Sequence, residues 1–310
     1  AGQAEFKKLE SGDAENVQLW QWFKEESLKE FRKMYALLGV EFDAWNGEST
    51  YEKELLPLIT ELIDKKIGER EADGAVIVKL ETQKLPPALI QKSDGGTLYL
   101  TRDIANIRHL LKEYPTLDKI LYVVGNEQSL HFQQLFAVAQ LFNLGRPEQF
   151  VHVKYGLVLD ESGKKFATRE GRVVMAEDVI NEAIRLAVEV AQKKNADMSA
   201  EQCQNVAQAI AVGALKYEML REHRTTDITF NWQRMLDFSG ESGPYLQYTH
   251  ARLNNIIKKA ASEPAQAGDY ATLEGESEQQ LTKHLFGYAE ALKKCRATYS
   301  VNPLTLYLYE

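Results

Sequence analysis

The chain has 310 residues, 44% of them hydrophobic and 26% charged, with a formal net charge of -8. That composition can bury a large core and leaves room for two domains, and it excludes a chain coated in basic residues without excluding a local basic path. The apolar runs are broken by charges well short of the roughly 18 residues a membrane span needs; the segment Ala1-Gly2-Gln3-Ala4 has no signal-peptide pattern, and Cys203 and Cys295 have no paired spacing, so a disulfide framework or zinc site gains no support and the cytoplasm is the expected location.

In chain order, residues 15 to 38 read as a helix with Val17, Trp20, Phe23, Leu28, Phe31, Met34, Tyr35 and Leu38 on its apolar side and Gly39 as its stop. Val40 to Trp45 alternates like a strand and runs through Asn46-Gly47-Glu48-Ser49-Thr50 into a second helix from Tyr51. Gly74 to Val78 is a strand candidate. Ala88-Leu89-Ile90 is another, turning at Ser93-Asp94-Gly95-Gly96 into Thr97-Leu98-Tyr99-Leu100 as a returning strand. Helical spacing follows at Ile104, Ile107, Leu110 and Leu111, which puts Asp103 at a helix start. An Asp there either caps backbone N–H groups and favours the helix dipole, or serves as a partner for a bound cation at a strand-to-helix junction.

Lys119 to Gly125 has an uninterrupted apolar centre, which predicts a strand covered on both faces of a parallel sheet. Asn126 to Ser129 leads into a helix bearing Leu130, Leu135, Phe136, Val138, Ala139 and Phe142, and Val151 to Leu159 is a further strand ending in the polar loop Asp160 to Gly171. This alternation predicts an α/β fold with a doubly wound parallel sheet. From Met175 the spacing is helical, through Val179 to Val190, Val206 to Leu220, Leu246 to Ile257 and Leu281 to Leu292. Ser262 to Glu278 reads as an exposed loop. Asn302-Pro303 makes an N-cap and first-turn pair for a helix that reaches Glu310 after barely two turns, and both chain ends look cut.

Three polar clusters stand at predicted strand ends: Glu48, Tyr99 to Asp103, and Asn126 to His131. Two fixed carboxylates facing a cavity suit a guanidinium, whose planar fork of N–H donors they satisfy bidentately. A fourth cluster, Gly163-Lys164-Lys165-Phe166-Ala167-Thr168-Arg169-Glu170-Gly171-Arg172, is either a solvated turn or a cationic loop that closes on phosphates. With Arg221, His223 and Arg224, then Arg252, Lys258 and Lys259, it is also a candidate basic path for nucleic acid, although most such groups are simply solvated faces.

In order and spacing these segments resemble the class I arginyl-tRNA synthetases. The likeness rests on Trp45-Asn46-Gly47-Glu48-Ser49, Tyr99-Leu100-Thr101-Arg102-Asp103, Val123-Val124-Gly125-Asn126-Glu127-Gln128-Ser129-Leu130-His131-Phe132, His152-Val153 with Gly156-Leu157-Val158, the loop at Lys165, and Gly243-Pro244-Tyr245-Leu246-Gln247-Tyr248. The resemblance implies that Glu48, Tyr99, Asp103 and Gln128 hold the substrate arginine. It implies further that Gly125, His131, His152, Val153, Lys165 and Thr168 meet ATP, and that Lys165 and Arg169 act on the triphosphate. The implied substrates are arginine, tRNA(Arg) and ATP with Mg²⁺, with no bound organic cofactor, no resident metal site, no membrane and a monomeric state. The implied reaction is ligation of arginine to tRNA through arginyl-adenylate.

The loop departs from the Lys-Met-Ser-Lys-Ser signature: Phe166 keeps the apolar anchor, Ala167 lacks the hydroxyl, Thr168 replaces the second lysine, and Glu170 stands where many relatives carry a basic residue. No two of His109, His131, His152, His223, His250 and His284 are three apart, so the His-x-Gly-His signature is not in this chain. The expectation is therefore an internal fragment, inactive alone: 1–175 from the catalytic domain, comprising the connective insertion and the second half of the nucleotide-binding fold, 176–235 a helical connector, and 236–310 the start of a truncated helical anticodon-binding domain. The alternative is a synthetase-derived, catalytically inactive tRNA-binding or interaction protein.

Overall fold

The computed structural model describes residues 2–160, 162–164, 175–194, 197–260 and 275–310. The chain divides into two compact units, Ala1–Trp45 with Val173–Lys216, and Asn46–Arg172 with Tyr217–Glu310.

The first unit is helical. Helix α1 (Gly2–Glu10) packs on α2 (Ala14–Leu38). Asp13 caps α2 by accepting from the Asn16 amide at 3.2 Å. Gly39 ends it in the left-handed region at φ 61, with Gly39 N–H donating to Ala36 and Val40 N–H to Tyr35, which together satisfy two terminal carbonyls. The helix is where periodicity predicts, but its apolar side is not buried: Phe23 and Phe31 are about half exposed, and no α2 residue is fully buried. The predicted strand at Val40 to Trp45 does not form. Its alternation comes from aromatic residues that fold back instead, with Phe42 4.7 Å and Trp45 5.7 Å from the Tyr35 ring and Arg32 over the Trp45 face.

In the second unit, a 3₁₀ turn at Glu48–Tyr51 enters α3 (Glu52–Asp64), which buries Leu55, Leu58, Ile59 and Leu62. An antiparallel sheet follows, with β1 (Glu69–Arg70) beside β2 (Val76–Val78) and β2 beside β3 (Ala88–Gln91). After the turn at Gly95, φ 86, only Gln91 and Thr97 bridge; Tyr99 and Leu100, predicted as strand, open helix α4 (Tyr99–Glu113). The buried Thr101 hydroxyl donates to the Ile90 carbonyl and ties that helix start to β3. This bond outweighs the β propensity of the apolar residues around it.

Strand β4 (Ile120–Gly125) pairs in parallel with β5 (Phe150–Tyr155), and α5 (Ser129–Leu141) makes the crossover. Contrary to the two-faced burial predicted for β4, its outward side carries Leu121 and Val123, the latter 66% exposed, while Tyr122 packs against Phe132 and Phe136 of α5. The predicted strand Val151 to Leu159 is broken. At Gly156 the backbone passes so close to residues 226 and 227 that a Cβ would lie 2.6 Å from the Thr226 carbonyl oxygen, and the chain changes partner there. Strand β6 (Val158–Leu159) then pairs with β7 (Ile228–Thr229), and the Asp227 carboxylate accepts from the Leu157 amide at 2.7 Å. One hydrophobic core joins α3, the antiparallel sheet, α4, α5 and the parallel pair, with Leu58, Val76, Ile90, Ile104, Leu135 and Val138 fully buried.

The remaining chain is helical: α6 (Ala176–Lys194), α7 (Ala200–Leu220), α8 (Trp232–Met235), α9 (Gly243–Ala260), α10 (Glu276–Thr298) and α11 (Asn302–Tyr309). Residues 262 to 274 of the predicted loop lie outside the described residues, and Glu276 already belongs to α10. Asn302 is not an N-cap. Its amide donates to the Arg221 carbonyl at 2.7 Å, and Pro303 alone supplies the preorganised first turn. Strands, crossover and helical tail together are a partial parallel α/β sheet followed by an α-helical region.

Candidate functional site

The carboxyl ends of β4 and β5 lie side by side, Gly125 opposite Tyr155. Open parallel sheets place ligands at such an edge. The chain leaves β4 through a 3₁₀ turn, Asn126–Gln128, into α5, and α4 packs against α5. Two of the expected residues meet here. Asp103 Oδ2 lies 2.6 Å from His131 Nε2, and both side chains are about a quarter to a third exposed. The His131 ring is held edge-on by Phe132 at 5.2 Å, and the same Phe132 stacks on His152 at 4.4 Å.

Asp103 is the fifth residue of α4, a full turn past the helix start, so it does not cap the first-turn amides as one reading of the sequence has it. Tyr99, four residues earlier, shares its helix face and is 69% exposed. Gln128 is exposed in the turn before α5. Among the described residues neither Tyr99 nor Gln128 hydrogen-bonds to Asp103, so both side chains are free to meet a ligand.

Glu48 does not join this set through any direct contact. Its carboxylate lies 3.7 Å from Arg102 Nε, and Arg102 Nη2 reaches Glu52 at 3.3 Å. The guanidinium that Glu48 and Glu52 meet in the structure is the protein's own Arg102. Consecutive helical residues point about 100° apart, which sends Arg102 and Asp103 to different sides of α4.

His152 Nε2 donates to the Val124 carbonyl at 3.0 Å. Val153 is buried, and Gly125 is buried at the start of the turn. Lys165, Thr168 and Arg169 lie outside the described residues. The preceding turn is well tied: the Asp160 carboxylate accepts from the Ser162 hydroxyl at 2.6 Å and the Lys164 amide at 3.0 Å, and the Ser162 bond holds its pKa below the ordinary carboxylate range. Two of the candidate basic residues serve the scaffold. Arg221 pairs with Glu222 at 3.0 Å, and Arg224 binds the Thr298 and Lys154 carbonyls. Arg252, Lys258 and Lys259 are exposed on α9.

Sequence reasoning missed Tyr122. Its hydroxyl is buried with no hydrogen-bond partner among the described residues, and burial, then the Asp103 carboxylate, push its pKa up. A phenol at the centre of an apolar strand was the available signal, because a buried tyrosine hydroxyl normally finds a partner. Arg102 stood inside a quoted motif without a role, since its partner Glu52 is 50 residues away. Among the described residues no three His, Cys, Asp or Glu side chains gather as metal ligands, and no helix is long and apolar enough to cross a membrane.

Comparison with known proteins adds two family matches: tRNA synthetases class I (R), catalytic domain, over residues 2–232, and the DALR anticodon binding domain over residues 246–310. The chain is 43% identical over 293 residues to an arginine–tRNA ligase of Clostridioides difficile, covering 93% of this chain and 51% of that protein. It is 46% identical over 258 residues to that of an Exiguobacterium species, covering 83% and 45%. Thus the chain spans about half the length of the curated relatives it matches. Among solved structures, the fold is similar to arginyl-tRNA synthetase from Plasmodium falciparum, with a TM-score of 0.83 at 24% identity over 98% of this chain and 52% of that one. It is also similar to the Thermus thermophilus arginyl-tRNA synthetase, with a TM-score of 0.75 at 21% identity over 97% and 57%.

Proposed function

The chain belongs to the class I tRNA synthetases (R), and from that premise we propose that the protein attaches arginine to tRNA(Arg) in the cytoplasm. The match of the catalytic-domain family over residues 2–232 carries this reading. In the first step the arginine carboxylate attacks the α-phosphate of ATP, forming arginyl-adenylate and releasing pyrophosphate. In the second, a terminal ribose hydroxyl of tRNA takes the arginyl group and AMP leaves. Catalysis is chiefly positioning and charge stabilisation, with Mg²⁺ entering as the complex of the ATP substrate.

Within this reading Asp103 accepts the guanidinium, Tyr99 and Gln128 orient the amino acid from the same edge, and Glu48 anchors Arg102 instead of touching substrate. Tyr99 shares the helix face of Asp103, whereas the Glu48 carboxylate faces Arg102 at 3.7 Å, which supports that split. Arginine is favoured over lysine because its planar fork of N–H donors meets both oxygens of a carboxylate at once, a geometry the compact ammonium does not match. The nucleotide is taken at Gly125, His152 and the Val153 backbone, and Lys165, Thr168 and Arg169 meet its phosphates. Residues 1–175 form part of the catalytic domain, 176–235 a helical connector and 236–310 the opening of an anticodon-binding domain, the last supported by the match at 246–310. The test is arginine- and tRNA-dependent pyrophosphate exchange by the full-length protein. Exchange with arginine is expected, and its absence while the protein still binds tRNA would favour a non-catalytic tRNA-binding protein.

A further inference from the structure

Among the described residues the Asp103 carboxylate has one hydrogen-bond partner, and the buried Tyr122 phenol has none. A carboxylate offers two oxygens and about four lone-pair directions, and a guanidinium fork uses one direction on each oxygen, in the carboxylate plane. The terminal torsion of an Asp side chain is broad and roughly two-fold, so a lone carboxylate on a helix does not hold that plane by itself. His131 supplies a constraint: its Nε2 contacts Oδ2 at 2.6 Å while its ring is clamped against Phe132, leaving Oδ1 open. The Tyr122 hydroxyl is buried and unpaired among the described residues, and its ring packs at 5.1 Å on the same Phe132 that meets the His131 ring, which places it in one cluster with His131 and Asp103. Unpaired buried polar groups are rare and destabilising, and they persist at sites where another state uses them.

We propose that His131 and Tyr122 are positioning residues that set the plane of the Asp103 carboxylate for a guanidinium, His131 engaged already and the Tyr122 hydroxyl donating to Asp103 once substrate settles. This rests on Asp103 as the guanidinium acceptor. His131 then acts through Asp103 and not on ATP, which revises the role implied by family resemblance. A carboxylate has about four lone-pair directions, enough for two such donors and a guanidinium fork together.

The test is steady-state aminoacylation by the full-length protein, reading KM for arginine and for ATP separately. His131→Leu is expected to raise the arginine KM about tenfold, the loss of one charge-assisted hydrogen bond, with the ATP KM unchanged. His131→Gln, whose amide N–H can take the place of Nε2–H, should recover most of that loss. Tyr122→Phe is expected to raise the arginine KM about fivefold while the ligand-free Tm stays level or rises, because an unpaired hydroxyl has been removed. A raised ATP KM with unchanged arginine KM in His131→Leu overturns the role of His131, and an unchanged arginine KM in Tyr122→Phe overturns that of Tyr122. Should His131→Leu not fold, His131→Asn moves the donor away from Asp103 and is read the same way. Asp103→Asn keeps the two levels apart: if it leaves the arginine KM unchanged, the underlying reading of Asp103 fails, whatever the other variants do.

Discussion

Arg102 and Asp103 are neighbours on α4 and meet opposite fates. Arg102 is closed between Glu48 at 3.7 Å and Glu52 at 3.3 Å, and its side chain is only 16% exposed. Asp103 has one ring N–H from His131 and a buried hydroxyl nearby that is not yet spent. A charge whose partners all come from the protein is scaffold, while a charge left with unused acceptor capacity at a sheet edge is available to a ligand. Counting carboxylates alone does not separate the two cases; following each one to its partner does.

Asp103→Asn should break that contrast most severely. Removing the charge from a guanidinium acceptor is expected to raise the arginine KM of the full-length enzyme by about 100-fold, since losing one partner of a hydrogen-bonded charge pair costs about 2–5 kcal/mol. Steady-state aminoacylation reads it. Arg102→Ala comes next and acts on folding instead: urea unfolding of the 310-residue chain should show a loss of about 1–2 kcal/mol, from a half-sequestered cation and its packed stem. Glu48→Gln should cost less than about 0.5 kcal/mol in the same assay, because its carboxylate is mostly exposed and its ion pair long, and it should leave the arginine KM near the parent value.

The mildest prediction separates the two phenols that are buried and unpaired among the described residues, Tyr122 and Tyr217. Burial pushes Tyr217 from 10.0 up to about 12. Between those values the unfolded phenol is ionised and the folded one is not, so the unfolded state binds fewer protons and stability falls as pH rises through that window. Tyr217→Phe should flatten the fall, seen by denaturant midpoints from pH 9 to about pH 12, without changing arginine binding. In Tyr122→Phe, by contrast, arginine binding is the property that moves.

Helices and their ends were largely legible from periodicity and from Gly39, because those signals are local. The strands were less so. Val40 to Trp45 alternates without a partner strand to use the pattern, and Tyr99-Leu100 has β propensity but is drawn into α4 by the Thr101 bond to Ile90. The break at Gly156 depends on a backbone approach from residues 226 and 227, 70 positions away, which no local pattern encodes. At the site, residue types and their order pointed to Tyr99, Asp103, Gln128 and His131, whereas the pairing of Glu48 with Arg102 and the stranded hydroxyl of Tyr122 are facts of three-dimensional contact.

On the proposed reading Asp103, and not Glu48, receives the guanidinium. Citrulline keeps the shape of arginine and replaces the guanidinium by a neutral urea group, so the ratio of kcat/KM for arginine over citrulline in pyrophosphate exchange isolates recognition of that charge. Asp103→Asn is expected to lower the ratio by about 100-fold, the weight of a desolvated charge pair, while Glu48→Gln leaves it unchanged. A ratio that survives in Asp103→Asn and collapses in Glu48→Gln would contradict that reading.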